Sequence, residues 1–105
     1  MFDTLFGPET GKRDGSEVFA ALRKAASERI LVLDGAMGTQ IQGLGFDEDH
    51  FRGDAFAGCS CHQQGNNDLL ILTQPAAIEE IHYQYAIAGA DILETNTFSS
   101  TSIAQ

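Results

Sequence analysis

Residues 30–39 read ILVLDGAMGT, and this stretch decides the fold that the sequence predicts. Its first half is a continuous run of branched apolar residues, which is typical of a strand buried on both faces of a parallel sheet. The run ends abruptly at Asp34, and two glycines follow within the next four positions. We therefore predict a buried strand over 30–34 that opens into a polar turn, with a short helical turn over 36–43.

A second apolar run that turns polar begins at Asp91, where residues 91–98 read DILETNTF. Residues 74–88, which precede it, predict a helix. Pro75 suits its first turn, where a missing amide costs nothing, and Gly89 suits the left-handed position after its last turn. Strand, helix and strand in this order form a right-handed parallel unit, and such folds bind ligands at the carboxyl ends of the strands. The predicted fold class is therefore α/β, and the two polar strand ends are predicted to shape one substrate pocket.

The remaining segments are predicted to surround this unit. Residues 1–15 are rich in glycine, proline and charge and are expected to be a flexible leader, whereas residues 16–28 show the apolar spacing of a helix. Residues 43–68 contain several glycines and an acidic cluster, and they are expected to form a long irregular loop over one end of the fold. Residues 69–72 (LLIL) are predicted to be extended or a short strand.

Length and charge exclude several classes of protein. The 105 residues correspond to roughly one small domain. A net charge of −9 repels phosphate backbones, so nucleic acid is not an expected partner. No apolar run reaches the roughly 18 residues of a membrane span, and no signal peptide is recognisable. Two cysteines without an export signal predict a reducing cytoplasm.

The two polar strand ends supply the candidate site residues. Asp34 and Gly35 open a turn in which the backbone can approach a ligand closely and the exposed amides can bind an anion. The structural alternative is a tight turn in which Asp34 caps the following helix. Four polar side chains follow the second strand: Glu94, Thr95, Asn96 and Thr97. They either line the pocket or form a network that ties the strand end to the next loop, because polar groups there are costly unless satisfied.

Cysteine and histidine side chains raise the question of a metal site. Cys59, Cys61 and His62 are residue types that bind zinc, but their spacing lacks the usual two-residue gap and no second ligand pair follows. A loop without metal is therefore favoured, and a one-residue gap is also poor for a disulfide. His82 lies on the apolar face of the helix predicted over 74–88, and it is expected to be a core histidine with satisfied hydrogen bonds.

Four blocks in the right order resemble the opening of cobalamin-dependent methionine synthases. They also resemble, more widely, the homocysteine S-methyltransferase family, which includes betaine–homocysteine methyltransferases. The blocks read ERILVLDGAMGTQIQ, FRGDAFA, GNNDLLILTQP and AGADILETNTFSSTSIA. The resemblance covers about residues 16–105 and implies that they are the N-terminal portion of a homocysteine-binding domain. That domain would be a (β/α)8 TIM-type barrel, of which this chain holds the first βα units.

The resemblance also implies roles for single residues. Asp34 and Gly35 correspond to the strand end that contacts the amino-acid part of homocysteine, and Thr95 lines the same pocket. Glu94, Asn96 and Thr97 are neighbouring candidates, and no catalytic residue is assigned. Zinc and methylcobalamin are implied as cofactors, with zinc activating the thiol. The three cysteines that hold zinc in the family have no counterpart in this chain, so ligands for neither cofactor are identifiable here.

The main functional hypothesis is therefore methyl transfer to homocysteine, giving methionine, by a methionine synthase-type protein. A full barrel needs about 250 residues, so this chain is expected to supply part of the pocket and to be inactive alone. It would be a piece of a longer enzyme, one half of a split protein, or a small protein that dimerises through an open edge; the first is favoured. The alternative hypothesis is a non-catalytic module that assembles with a partner chain. Relatives that use betaine or S-methylmethionine differ only in the methyl donor, and the GNNDLL and ETNTF blocks favour the cobalamin type.

Overall fold

The structure is a computed structural model that describes residues 15–105. The predicted leader over 1–15 lies outside the described residues except for its last position, which begins the first helix. The described chain contains α1 (Gly15–Glu28), α2 (Met37–Gly43), α3 (Glu48–Arg52), a 3₁₀-helix (Asn67–Leu69), α4 (Leu70–Thr73) and α5 (Pro75–Ala88). None of these helices is both long and apolar enough to cross a bilayer.

The predicted fold class, α/β with the first βα units of a TIM-type barrel, is wrong. The part of the chain that the structure describes is helical and contains no strand and no sheet. The two segments predicted as strands, 30–34 and 91–94, do run parallel to each other. They meet only in one isolated bridge, between Leu33 and Ile92.

Missing neighbours explain why the apolar run over 30–34 does not become a buried strand. A strand of a parallel sheet needs hydrogen-bonded neighbours and cover on both faces. Among residues 15–105 the run has a single neighbouring segment, and the side chains of Ile30 and Val32 are 88% and 52% exposed. Two backbone hydrogen bonds, from Asp34 to Ile92 and from Asp91 to Val32, measure 2.9 Å and 2.7 Å and align the two segments only locally.

The predicted strand over 69–72 is also wrong, because these residues are helical. The 3₁₀-helix runs directly into α4, so the four apolar side chains point in different directions around a helix axis. Leu70 is completely buried, whereas Leu72 is 68% exposed. The predicted loop over 43–68 is mostly irregular, but it contains α3, which begins with a capping box between Asp47 and His50.

The three helices predicted from local signals are confirmed, with boundaries within one residue of those expected. Pro75 occupies the first turn of α5, and Gly89 ends this helix with a left-handed φ of 113°. The hydrophobic core forms where α4 packs against both α5 and α3. Its buried members are Ile41, Phe51, Leu70, Ile78 and Ile81. The core is therefore built from helical residues, and the segments 30–34 and 91–94 contribute none of its buried members.

An ion pair joins the end of α1 to the start of the segment 91–94. The Arg29 guanidinium donates two hydrogen bonds to the Asp91 carboxylate, at 2.8 Å and 2.6 Å, and the Val32 N–H donates a third at 2.9 Å. The hydrogen bonds from Arg29, and then that from Val32, lower the pKa of Asp91 from 3.8 to about 2. This buried carboxylate holds the two segments in parallel alignment at their first residues.

Candidate functional site

An open cleft of about 520 Å³ lies between three stretches of the chain, residues 34–38, 65–68 and 94–99. The six residues predicted for the site all line it: Asp34, Gly35, Glu94, Thr95, Asn96 and Thr97. The structure thus brings the two polar turns together although no sheet forms among the residues it describes. That these residues bind a substrate stays a prediction.

Asp34 joins two walls of the cleft. Its two carboxylate oxygens accept a shared hydrogen bond from the Glu94 N–H, at 3.2 Å and 3.3 Å, and its side chain is only 4% exposed. Asp34 does not cap the following helix, since the N-cap of α2 is Ala36, without a side-chain hydrogen bond. The capping alternative is therefore wrong, and Asp34 acts as a link between the turns.

Gly35 lies against an aromatic ring. A Cβ atom at this position would be 3.6 Å from the ring and from the hydroxyl of Tyr85, which is ordinary van der Waals contact. The φ angle of Gly35 is not positive, so the turn does not require glycine for a left-handed conformation. The backbone of this turn is accordingly packed against α5 on one side and open to the cleft on the other.

Some side chains of residues 94–97 make hydrogen bonds within the protein, and others are exposed to the cleft. The buried side chain of Asn96 donates a hydrogen bond to the carbonyl oxygen of Asn67 at 2.7 Å. The hydroxyls of Thr95 and Thr97 bond to each other at 2.6 Å. The exposed carboxylate of Glu94 has no hydrogen-bond or ion-pair partner among residues 15–105. The segment therefore both ties the turn to its neighbours and presents polar groups to the cleft.

The third wall of the cleft was not among the predicted site residues. Asn66, Asn67 and Asp68 line it, and the Asp68 carboxylate accepts hydrogen bonds of 2.7 Å from the Ser99 N–H and the Ser100 hydroxyl. A signal was present in the sequence, because these polar residues stand directly beside the apolar run LLIL. The same junction of polar and apolar residues had marked the other two walls.

The cleft carries a negative charge. Asp34, Asp68 and Glu94 line it, and no lysine or arginine is among its described lining residues. Opposite charges attract strongly where water is partly excluded, so this surface favours a cationic group such as an ammonium. It disfavours the binding of a free anion.

Zinc does not fit the cysteines that the structure describes. The Cys59 thiol accepts a hydrogen bond from the Gln63 amide at 3.5 Å, and the Arg52 guanidinium binds the carbonyl oxygens of both Cys59 and Cys61. His62 points into solvent with 93% of its side chain exposed. Nowhere in the described part of the chain do three His, Cys, Asp or Glu side chains form a group that could hold a metal ion.

A carboxylate instead organises this cysteine-containing loop. Glu48 accepts hydrogen bonds from the Arg52 Nε at 2.7 Å and from the N–H groups of Gln63 and Gln64, each at 2.6 Å. The hydrogen bond from Gln63, followed by that from Arg52, lowers the pKa of Glu48 from 4.5 to about 2. The loop is thereby fixed to α3 just before it enters the wall of the cleft.

The prediction that His82 is a satisfied core histidine is wrong. Its Nδ1 atom is buried and has no hydrogen-bond partner within residues 15–105. The nearest charged atom is Oδ2 of Asp34, at 3.9 Å, which is too far for a hydrogen bond. An unsatisfied ring nitrogen therefore lies directly behind a carboxylate that lines the cleft.

Comparison with known protein families assigns the chain to a class. The family model described as homocysteine S-methyltransferase matches residues 31–105, a range that includes all residues lining the cleft. The chain belongs to the homocysteine S-methyltransferase family. No solved structure matches the chain. The match thus confirms the resemblance at the level of the homocysteine S-methyltransferase family.

Proposed function

We propose that the cleft binds the amino-acid end of homocysteine and so contributes to a methionine synthase-type methyl transfer that gives methionine. One observation carries the proposal: in a member of the homocysteine S-methyltransferase family, three carboxylates converge on one cleft that no lysine or arginine of the described chain lines. Homocysteine is an amino acid whose ammonium group matches this charge.

Glu94 is the group proposed to receive the ammonium. Its carboxylate is exposed to the cleft and has no partner within residues 15–105, whereas Asp34 and Asp68 already accept hydrogen bonds from backbone N–H groups. The hydroxyls of Thr95 and Thr97 share one hydrogen bond. Since each hydroxyl has one proton to donate, one of the two protons stays available for the carboxylate of the substrate.

The cleft is proposed to hold the substrate but not to activate its sulfur. A free thiol titrates near a pKa of about 8.5, and neighbouring carboxylates disfavour the thiolate further. Activation therefore has to come from a group beyond the cleft. The resemblance implies zinc for this role and methylcobalamin as the methyl donor, and the GNNDLL and ETNTF blocks support that type. Because the described residues do not fit zinc, no step is assigned to it, and this chain alone is expected to form no methionine.

Isothermal titration calorimetry of the full chain with L-homocysteine, under reducing conditions, tests the proposal. Glu94→Gln should weaken binding about two- to fivefold, as expected for loss of one partly exposed ion pair. Glu79→Gln, an equal charge change on the exposed face of α5, should leave binding unchanged. N-acetyl-homocysteine, which lacks the ammonium charge, should bind more weakly than homocysteine. Absence of homocysteine binding at millimolar concentrations, or equal binding of the acetylated compound, would contradict the proposal.

A non-catalytic module that assembles with a partner chain is the second candidate function. Exposed apolar side chains at Ile30, Val32 and Leu33 favour it, because large exposed apolar surfaces mark interaction sites. Sedimentation velocity discriminates the two candidates. This alternative predicts association that Val32→Lys weakens, together with no binding of homocysteine. Free Cys59 and Cys61 are consistent with a reducing compartment, and we place the protein in the cytoplasm as part of either proposal.

A further inference from the structure

His82 lies outside the cleft but immediately behind one of its carboxylates. It belongs to α5, where the core residues Ile78 and Ile81 fix the orientation of the helix, and 25% of its side chain is exposed. The Nδ1 atom is buried without a hydrogen-bond partner in the described part of the chain, 3.9 Å from Oδ2 of Asp34. A buried polar atom without a partner is destabilising, so its presence calls for an explanation such as a functional role.

The Asp34 carboxylate has the capacity to accept the missing bond. Its two oxygens share one donor, the Glu94 N–H, at the long distances of 3.2 Å and 3.3 Å. A carboxylate accepts about four hydrogen bonds, so most of its sites are unfilled. A movement of about 1 Å would bring His82 Nδ1 within the 2.7–3.2 Å range of an N–H···O bond.

We propose that His82 is a positioning residue for the homocysteine site. Its Nδ1–H already faces Oδ2 of Asp34 in the free protein, at 3.9 Å, and it moves into hydrogen-bond distance when the cleft is occupied. This bond fixes the carboxylate that holds the Glu94 backbone. His82 itself does not touch the substrate. The inference rests on the proposed function, and it assigns to His82 the tautomer that carries its proton on Nδ1. A lone pair at that position would instead face the negative charge of Asp34.

Substitutions that imitate one ring nitrogen at a time test the positioning role. The side-chain amide of His82→Asn places a donor near the position of Nδ1, whereas that of His82→Gln places it near Nε2. His82→Gln and His82→Leu should weaken homocysteine binding about tenfold, as for loss of a hydrogen bond to a charged group, and His82→Asn should restore most of the affinity. His62→Asn, at a histidine that is 93% exposed, is the matched control and should leave binding unchanged. Equal affinity of the Asn and Gln variants would overturn the proposal.

A second measurement needs no ligand and no variant of His82. The nitrogen chemical shifts of the His82 ring in the folded chain should show the proton on Nδ1, and Asp34→Asn should alter them. A ring protonated only on Nε2 would overturn the inference, and so would nitrogen chemical shifts that do not change in Asp34→Asn. If the parent chain fails to bind homocysteine, the proposed function fails, and the ring shifts alone decide the interaction between His82 and Asp34. If His82→Leu unfolds the chain, the comparison of His82→Asn with His82→Gln and the ring shifts still test the positioning role.

Discussion

Substitution of Leu70 by alanine should unfold the chain far more readily than the same substitution two residues later. Leu70 has no exposed surface and packs among core residues, whereas Leu72 is 68% exposed. Leu70→Ala removes three carbons, or about 2.4 kcal/mol of transfer free energy at roughly 0.8 kcal/mol per carbon. The cavity left behind raises the expected loss to about 3–5 kcal/mol. Leu72→Ala removes the same atoms with about a third of their surface buried, and should cost about 0.8 kcal/mol.

Urea unfolding followed by far-UV circular dichroism measures both losses. The two variants are matched in chemistry and lie within one turn of α4, so a difference between them reports burial alone. The unfolding midpoint should fall strongly for Leu70→Ala and only slightly for Leu72→Ala, with similar dependence on urea concentration for both. The full loss for Leu70 is a large fraction of the stability of a chain of this size, which is of order 5–15 kcal/mol.

The comparison also decides between a helix and a strand over residues 69–72. In a helix, positions two apart lie on nearly opposite faces, whereas in a strand they lie on the same face. If Leu70 and Leu72 were partners on one buried face of a strand, their alanine variants would lose similar free energies. Equal losses, or a larger loss at Leu72, would refute the helical assignment and the core built on it.

Three further predictions concern the backbone and the carboxylates outside the cleft. Gly53 has a φ of 56°, and a Cβ atom added there would lie 3.0 Å from the Cβ atom of Thr73. Gly53→Ala should therefore lower the free energy of unfolding by about 1–3 kcal/mol, as measured by urea titration. Gly43→Ala, where nothing lies within 4 Å, is its control and should change little. The ion pair of Asp91 stabilises the fold at pH values above 3.8, the ordinary pKa of the carboxyl group, and this stability is lost as pH falls from 3.8 through about 2. In acid unfolding curves, the free energy of unfolding of Asp91→Asn should therefore depend less on pH over this range. Glu48 should show the same behaviour between pH 4.5 and about 2, and its removal by Glu48→Gln should leave the Asp91 loss unchanged.

Local signals predicted the helices because they act within a few residues. Pro75 and Gly89 mark the ends of α5 through their own backbone preferences, and these do not depend on the rest of the fold. The apolar runs over 30–34 and 69–72 carry no such signal. A run of four or five apolar residues suits a buried strand or a buried helix equally, and only the tertiary neighbours decide. The neighbours of a sheet do not form in the described chain, and the two runs accordingly form one isolated bridge and one helix.

The cleft was predictable in part, because two polar turns at the ends of parallel segments must approach each other. The pairing of Leu33 with Ile92 preserves that parallel direction and brings the turns together, although the described residues form no sheet. The polar residues beside the apolar run over 69–72 mark Asp68 as a candidate for the cleft, but the structural roles of Asp68 and His82 were not predictable. Each depends on a contact across more than thirty positions of the sequence, to Ser100 or to Asp34, that no local pattern encodes.

The hydrogen bonds within the cleft determine which substitutions report on binding. Asp34 bonds to the backbone of Glu94, Asn96 bonds to that of Asn67, and Asp68 bonds to that of Ser99, so these three side chains connect the three walls. Removing any of them changes the shape of the cleft as well as its chemistry, and a loss of binding would have two causes. The Glu94 side chain makes no such connection, although its backbone does. A change confined to the Glu94 carboxylate therefore separates recognition of the ammonium from the integrity of the cleft.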